Sequence, residues 1–220
     1  MENQENVREY NHYSFDKMYD SLERFISYYH QLRSICHLKV NSILEIGIGN
    51  RTVSNYLLEH GYDIKTLDLD EKLKPDFIGD IRKIPIEKDT FDAVLAAEVI
   101  EHIPWNDVSG ALLEIHRITK KYAIISTPYS SGSIEVIFAS QIFSKFLKRP
   151  YINFCIRIPK FWHKHKYDGQ LISHCWEMGR KGFSKSAVRK LLSEHFNIIE
   201  ESMSCLSVDL NHYFFVLEKK

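Results

Sequence analysis

The 220-residue chain carries 29 basic and 29 acidic side chains, so its formal net charge is zero and it is no polycation built to coat nucleic acid. With 44% hydrophobic and 26% charged residues it has an ordinary globular composition, which excludes extensive disorder. Its length suits one α/β domain with its own core and is short for two.

In chain order, the opening stretch MENQENVREYNHYSF is polar and acidic where a secretory signal is basic and then apolar. No apolar run approaches the roughly 18 to 20 residues of a spanning helix, so the expected location is the cytoplasm. The scattered cysteines Cys36, Cys155, Cys175 and Cys205 form no CxxC pair and are expected as reduced thiols. From Phe15 to about Leu38, apolar and aromatic residues recur at helical intervals without proline or glycine, which predicts a helix.

Ser42 to Ile48 then reads as a buried strand, Arg51 to Glu59 as a helix stopped by Gly61, and YDIKTLDLD as a second strand. DFIGDI supplies a short third strand, FDAVLAAEVI a fourth and YAIISTP a fifth, with a helix over Asn106 to Thr119 between the last two. Strands alternating with helices imply parallel pairing by right-handed crossovers, a doubly wound sheet. Regularity lapses from Tyr129 to about Arg180 and returns in SKSAVRKLLSEHF, where Ser184 or Ser186 caps a helix, followed by the strands NIIEESMS and HYFFVLEKK.

In such a sheet, ligands sit beyond the carboxyl ends of the strands. Gly47 and Gly49, directly after the first strand, allow backbone conformations and close approach denied to other residues. A dinucleotide loop needs a third glycine where Thr52 stands, which disfavours NAD. Asp68 ends the second strand, placed to accept hydrogen bonds from two ribose hydroxyls, so glycines and acid together specify a nucleoside. Glu45 interrupts the apolar first strand where core packing alone would place another apolar side chain.

With LEIGIGN, TLDLD, GDIRKIP, FDAVLAAEVIEHI and IISTPY in this order over Ile43 to Tyr129, the chain resembles the class I S-adenosylmethionine-dependent methyltransferases, especially the type 11 group. The resemblance implies a Rossmann-like, mostly parallel seven-stranded sheet with its last strand antiparallel. It places Glu45, Gly47, Gly49 and Asn50 in the cofactor loop, and Asp68 with Leu69 at the ribose. Asp80 and Ile81 would meet the adenine, and Ala97 with Glu98 would line the cofactor after the fourth strand. Asn50 and Arg51 stand where many members have glycine and a small residue, making the loop bulkier. The implied cofactor is S-adenosyl-L-methionine, with S-adenosyl-L-homocysteine as product. The expected organisation is a single domain over 1–220: a helical lead-in (1–41), the cofactor-binding core (42–129), a helical or irregular substrate cap (130–180) and a closing helix with strands (181–220).

Methyl transfer is an in-line displacement whose leaving group departs neutral, so positioning and exclusion of water supply much of the rate, and an oxygen acceptor also needs its proton removed. ISHCWEMGRKGFS resembles a segment of some small-molecule and sugar methyltransferases of the group, which implies His174 at the transferred methyl and Trp176 with Glu177 forming or bracing the acceptor pocket. Tyr129 is a further acceptor-binding candidate. His102 in EVIEHI is either a second catalytic group or a packed, hydrogen-bonded histidine. Trp176 anchoring the cap and Glu177 capping a helix are the alternatives for those two.

Between Ile134 and Lys166 seven basic residues face only Glu135, roughly +6 by formal counting, which suits an anionic acceptor, an anionic membrane surface or a plain solvated face. His163 and His165 lack a neighbouring carboxylate or cysteine to complete a metal site, and no metal is expected. The expected reaction is O-methylation of a small, anionic acceptor such as a sugar, sugar phosphate or surface-polysaccharide precursor. The alternatives are N-methylation, a lipid-linked acceptor, or a cofactor-binding partner subunit without catalysis. No nucleic-acid partner is expected, and the sequence leaves oligomeric state open.

Overall fold

Ser21 caps the first helix among the described residues. The computed structural model describes residues 19–139, 145, 151–165, 173–204 and 211–220. Helix α1 runs over Leu22–Cys36, where the Ser21 side chain accepts a hydrogen bond from the Arg24 N–H and caps it; the expected start at Phe15 falls before the described residues. Residues 15–18 lie outside the described residues.

The alternating core follows as β1 (Ser42–Ile46), α2 (Thr52–Glu59), β2 (Asp63–Asp68), β3 (Phe77–Ile78), β4 (Phe91–Ala97), α3 (Val108–Ile118) and β5 (Thr119–Pro128). Helix α4 (Lys185–His195), capped by Ser184, leads into β8 (Phe196–Met203) and β9 (His212–Lys219). The seven strands lie in the order β3-β2-β1-β4-β5-β9-β8. β1 pairs parallel with both β2 and β4, while β9 slots antiparallel between β5 and β8. The strand order reverses between β1 and β4, which opens a crevice beyond their carboxyl ends.

Alternation along each strand sends successive residues to opposite faces. Leu44 and Ile46 of β1 join a core with Ala111, Leu112 and Ile115 of α3 and Val188 and Leu192 of α4. Ile43 joins the other core, with Tyr28 and Ile35 of α1 and Val53 and Leu57 of α2. Glu45, two residues after Ile43, therefore faces the α1–α2 layer.

The cap departs from its expected helical or irregular form. Ser131–Ala139 (β6) and Tyr151–Pro159 (β7) form a two-stranded antiparallel ladder outside the main sheet. Apolar residues on both faces, including Ile134, Val136, Ile137, Phe138, Phe154, Ile156 and Ile158, are exposed, which erases the polar–apolar alternation that marks a strand in sequence. Among the described residues no helix is long and apolar enough to cross a membrane.

Candidate active site

The loop after β1 is built for close approach. Gly47 adopts φ 77° and Gly49 φ 48°, and a Cβ on Gly47 would lie 2.5 Å from Val99 Cγ2. Only glycine satisfies both constraints at position 47. The Gly47 N–H donates to the Leu67 carbonyl (2.9 Å), and the Ile48 N–H to Asp68 Oδ2 (2.9 Å). Asp68 thus ties the loop to the end of β2, and Oδ1 also accepts from the Asp70 N–H.

The two bulky residues of the loop do not obstruct it. Arg51, left-handed at φ 63°, turns its guanidinium away to the carbonyls of Leu73 and Lys74. The Asn50 side chain accepts from the Thr52 N–H (3.1 Å) and from Tyr28 Oη (3.2 Å), and donates to Asp20 (2.7 Å). Asn50 therefore closes a turn into the first residue of α2 and ties Asp20 and Tyr28 to the loop.

Glu45 is the conspicuous group inside. It is 5% exposed, and Oε2 has no hydrogen-bond partner. Burial pushes its carboxyl up to about 7, against the lowering effects of Ser54 and Arg51. A buried acid with an unused oxygen needs a donor or a cation. Glu45 lines a concavity with Gly47, Gly49, Asn50, Ala97 and Glu98, so that donor can come from a ligand.

Helix α1 supplies a wall that the sequence reading missed. Arg24, Tyr28 and Gln31 line the same concavity, together with Tyr19, which lies before the helix. Their spacing i, i+4, i+7 marks one helical face, a signal present in the sequence but masked by the aromatic residues around it. Arg24 lies 4.0 Å above the Tyr19 ring and donates to its hydroxyl (3.2 Å).

Toward the far rim, Leu69 is 62% exposed beside Asp68, an apolar face available to a flat ring. Ile81 is buried in the core. Asp80 is already engaged: Arg82 grips both of its oxygens (3.0 and 2.6 Å) and holds its carboxyl below the usual range. The expected contact of Asp80 with adenine would have to compete with this ion pair.

The other end of the crevice gathers the acceptor candidates. Ala97 closes β4, and Glu98 follows at φ 57° with Ser126 Oγ donating to its Oε1 (2.7 Å) and His212 Nε2 lying 3.6 Å from its Oε2. A turn at Ile100–His102 presents Glu101 and His102. The segment from Ser173 docks onto this turn: the Cys175 N–H donates to the Glu101 carbonyl (2.7 Å) and Cys175 Sγ to the His102 carbonyl (3.3 Å). His102 and His174 meet edge to face, with ring centroids 5.0 Å apart.

Each imidazole is oriented through Nδ1. That of His102 is 3.3 Å from the Ser173 carbonyl, and that of His174 is 3.2 Å from Glu177 Oε1. Both partners are acceptors, so Nδ1 is the donor in each ring. Burial and the neighbouring His174 lower the affinity of His102 for a second proton. Burial opposes ionisation of Glu177, but His174 and Arg180, whose Nε donates at 2.5 Å, hold its carboxyl down at about 2. Glu101, fully buried, is pushed the other way by desolvation and by the Glu98 charge.

Trp176 is 0% exposed and packs against Trp105 (4.8 Å, edge to face) and Phe183, so it braces the site from within the core and presents no surface to a substrate. Glu177 caps no helix; it orients His174. Tyr129 is half-buried, bridged to Met178 and edge to face with Tyr213.

Residues 44–127 match the family model described as a methyltransferase domain. No curated protein matches the sequence. Among solved structures, the chain is similar to the N-methyltransferase NodS from Bradyrhizobium japonicum WM9 in complex with S-adenosyl-L-homocysteine, at 13% identity over 92% of this chain and 90% of that one, with a TM-score of 0.56. It is also similar to the 1,6-didemethyltoxoflavin-N1-methyltransferase of Burkholderia thailandensis (16% identity, 90% and 86% covered, TM-score 0.55). A third is the magnesium protoporphyrin IX methyltransferase of Synechocystis PCC 6803 (14% identity, 90% and 79% covered, TM-score 0.53). At such identities the likeness is one of fold. The domain match, the glycine loop bound to Asp68 and the unsatisfied Glu45 converge: residues 44–127 form a methyltransferase domain, and S-adenosylmethionine is the methyl donor of this enzyme.

Proposed function

We propose that the protein methylates an oxygen of a small, anionic acceptor such as a sugar, sugar phosphate or surface-polysaccharide precursor. The cofactor supplies an electrophilic methyl group on a sulfonium. Around it, Glu45 with its free Oε2 receives the α-ammonium, Arg24 faces the α-carboxylate, Gly47 and Gly49 admit the chain, Asp68 takes the ribose hydroxyls, and Leu69 flanks the purine. Ala97 and Glu98 close the cofactor space, and Tyr129 borders the acceptor side.

The observation that carries the oxygen reading is the group Glu98, Glu101, His102 and His174 at the end of β4. A hydroxyl is a poor nucleophile until its proton is drawn off, whereas a neutral amine already carries its lone pair. This group provides two imidazoles held in place by Ser173 and Glu177, with the cofactor-lining Glu98 acting on His102. Turnover of radiolabelled methyl groups against hydroxylated, carboxylated and amine acceptors tests it. His174→Ala is expected to lower kcat on an oxygen acceptor at least ~100-fold, the scale of a lost acid–base group, with cofactor affinity within twofold. Full activity in that variant, or turnover confined to amines, refutes the reading.

A second reading concerns where the acceptor resides. The β6–β7 ladder exposes its apolar side chains, with Phe161 and Trp162 next to it and Lys145 and Lys164 exposed. An apolar protrusion flanked by cations supports a lipid-linked acceptor at an anionic membrane surface. Sedimentation with anionic vesicles, lost in Phe138→Asp with Phe154→Asp, supports it; equal partition of wild type and variant removes it.

A further inference from the structure

We propose that Glu101, His102 and His174 together hold a divalent transition-metal ion of the zinc type at the acceptor end of the cofactor pocket. Each of the three offers a ligand atom within 4.8 Å of the others. Zinc draws its ligands to about 2.0 to 2.2 Å, so modest side-chain rotation closes the set. Two imidazole nitrogens and one carboxylate oxygen match the donor set of catalytic sites that keep a position open for substrate.

Two observations independent of that proximity support the site. The supporting contacts of a metal centre are already in place: a ligating histidine donates its second ring N–H to a carbonyl or carboxylate. His102 does so to the Ser173 carbonyl and His174 to Glu177, which is itself held by Arg180. Glu101, meanwhile, is 0% exposed with neither carboxylate oxygen accepting a hydrogen bond. Glu98, a second carboxylate, stands against it. A buried carboxylate with both oxygens unpartnered calls for a donor or a cation. The two imidazoles gathered beside it match the ligand preference of a transition-metal cation.

The third ligand is placed by main-chain bonds and by packing. Cys175 latches its segment onto the carbonyls of Glu101 and His102, and the buried Trp176 anchors it one residue on. The expectation of no metal site rested on His163 and His165, which lie on a different segment. Residues 101, 102 and 174 have no common sequence signature because a span of seventy residues separates them.

The fourth coordination position is then available to an acceptor oxygen, whose proton the cation acidifies. This last role rests on the oxygen-acceptor reading; the metal site itself does not. The full-length protein, stripped with chelator and dialysed, is titrated with Co²⁺, read by visible absorption, and then with competing Zn²⁺. One equivalent is expected to bind. His102→Ala and His174→Ala should each weaken binding at least ~100-fold, and Glu177→Gln, which only orients a ligand, roughly 10- to 100-fold. Binding of S-adenosylhomocysteine by each variant certifies the fold.

Absence of a stoichiometric site in the wild type, or unchanged Co²⁺ affinity in both histidine variants with S-adenosylhomocysteine binding intact, overturns the proposal. Stoichiometric binding together with methylation of amines alone keeps the metal site and removes the oxygen reading. Histidine-dependent methylation of oxygen by a protein that binds no metal does the reverse.

Discussion

Replacing Glu45 by glutamine separates two effects of opposite sign. The carboxyl rises from its ordinary value of 4.5 to about 7 on folding because burial disfavours its charge. At ~1.36 kcal/mol for each tenfold change in proton affinity, this amounts to about 3 kcal/mol. An acid whose folded value is raised stabilises the protein fully below the unfolded value, and that stability is lost as pH climbs through the folded value. The cofactor-free wild type should therefore lose about 3 kcal/mol between pH 4.5 and pH 8 from this group. Glu45→Gln should lack that loss and melt higher at pH 8, by roughly 5 °C or more for a chain of this size. Cofactor binding goes the other way. A charge-assisted hydrogen bond contributes about 1.5–3 kcal/mol, so the variant should bind S-adenosylhomocysteine roughly 10- to 150-fold more weakly at pH 8. Below pH 7 the wild type must first shed a proton, and its affinity should drop by up to tenfold per pH unit, a slope that glutamine abolishes. Calorimetric titrations at pH 5.5 to 8 and melting curves of both proteins without cofactor measure each effect. Equal affinity of the two proteins at pH 8, or parallel pH profiles, would refute the assignment of Glu45 to the ammonium.

Gly47→Ala should reduce cofactor affinity at least ~10-fold, because a left-handed alanine costs about 1 kcal/mol or more and its methyl collides with Val99; equilibrium dialysis reads it, and unchanged binding would show that the loop yields. Trp176→Ala should cost about 3–5 kcal/mol, seen as a fall in Tm of roughly 10 °C, with acceptor KM little changed in the folded fraction, because the indole fills the core and faces no substrate. A large rise in KM with unchanged Tm would return Trp176 to the acceptor pocket.

What the sequence determined by itself was whatever a short segment settles locally. β1 announces itself by a continuous apolar run, Glu45 by interrupting it, Gly47 and Gly49 by their spacing, and Asp68 by closing the next strand. These groups lie within about twenty-five residues, and parallel pairing of β1 with β2 suffices to bring them together. The order of alternating elements likewise determined the doubly wound sheet, since crossovers have one allowed hand. Ser184 as a cap was legible for the same reason, being a bond between near neighbours.

Only the tertiary structure decided the rest, because it depends on pairs distant in sequence and on what else competes for a side chain. Arg24, Tyr28 and Gln31 enter the pocket because α1 packs across the face that carries Ile43 and Glu45. Asp80 is taken up by Arg82, and Arg51 is drawn off to two carbonyls, leaving the loop open. Trp176 braces the site from within the core because Trp105 and Phe183, from either side of it in the chain, enclose it. Glu101, His102 and His174 became one cluster through main-chain hydrogen bonds across more than seventy residues, a juxtaposition that no local pattern encodes.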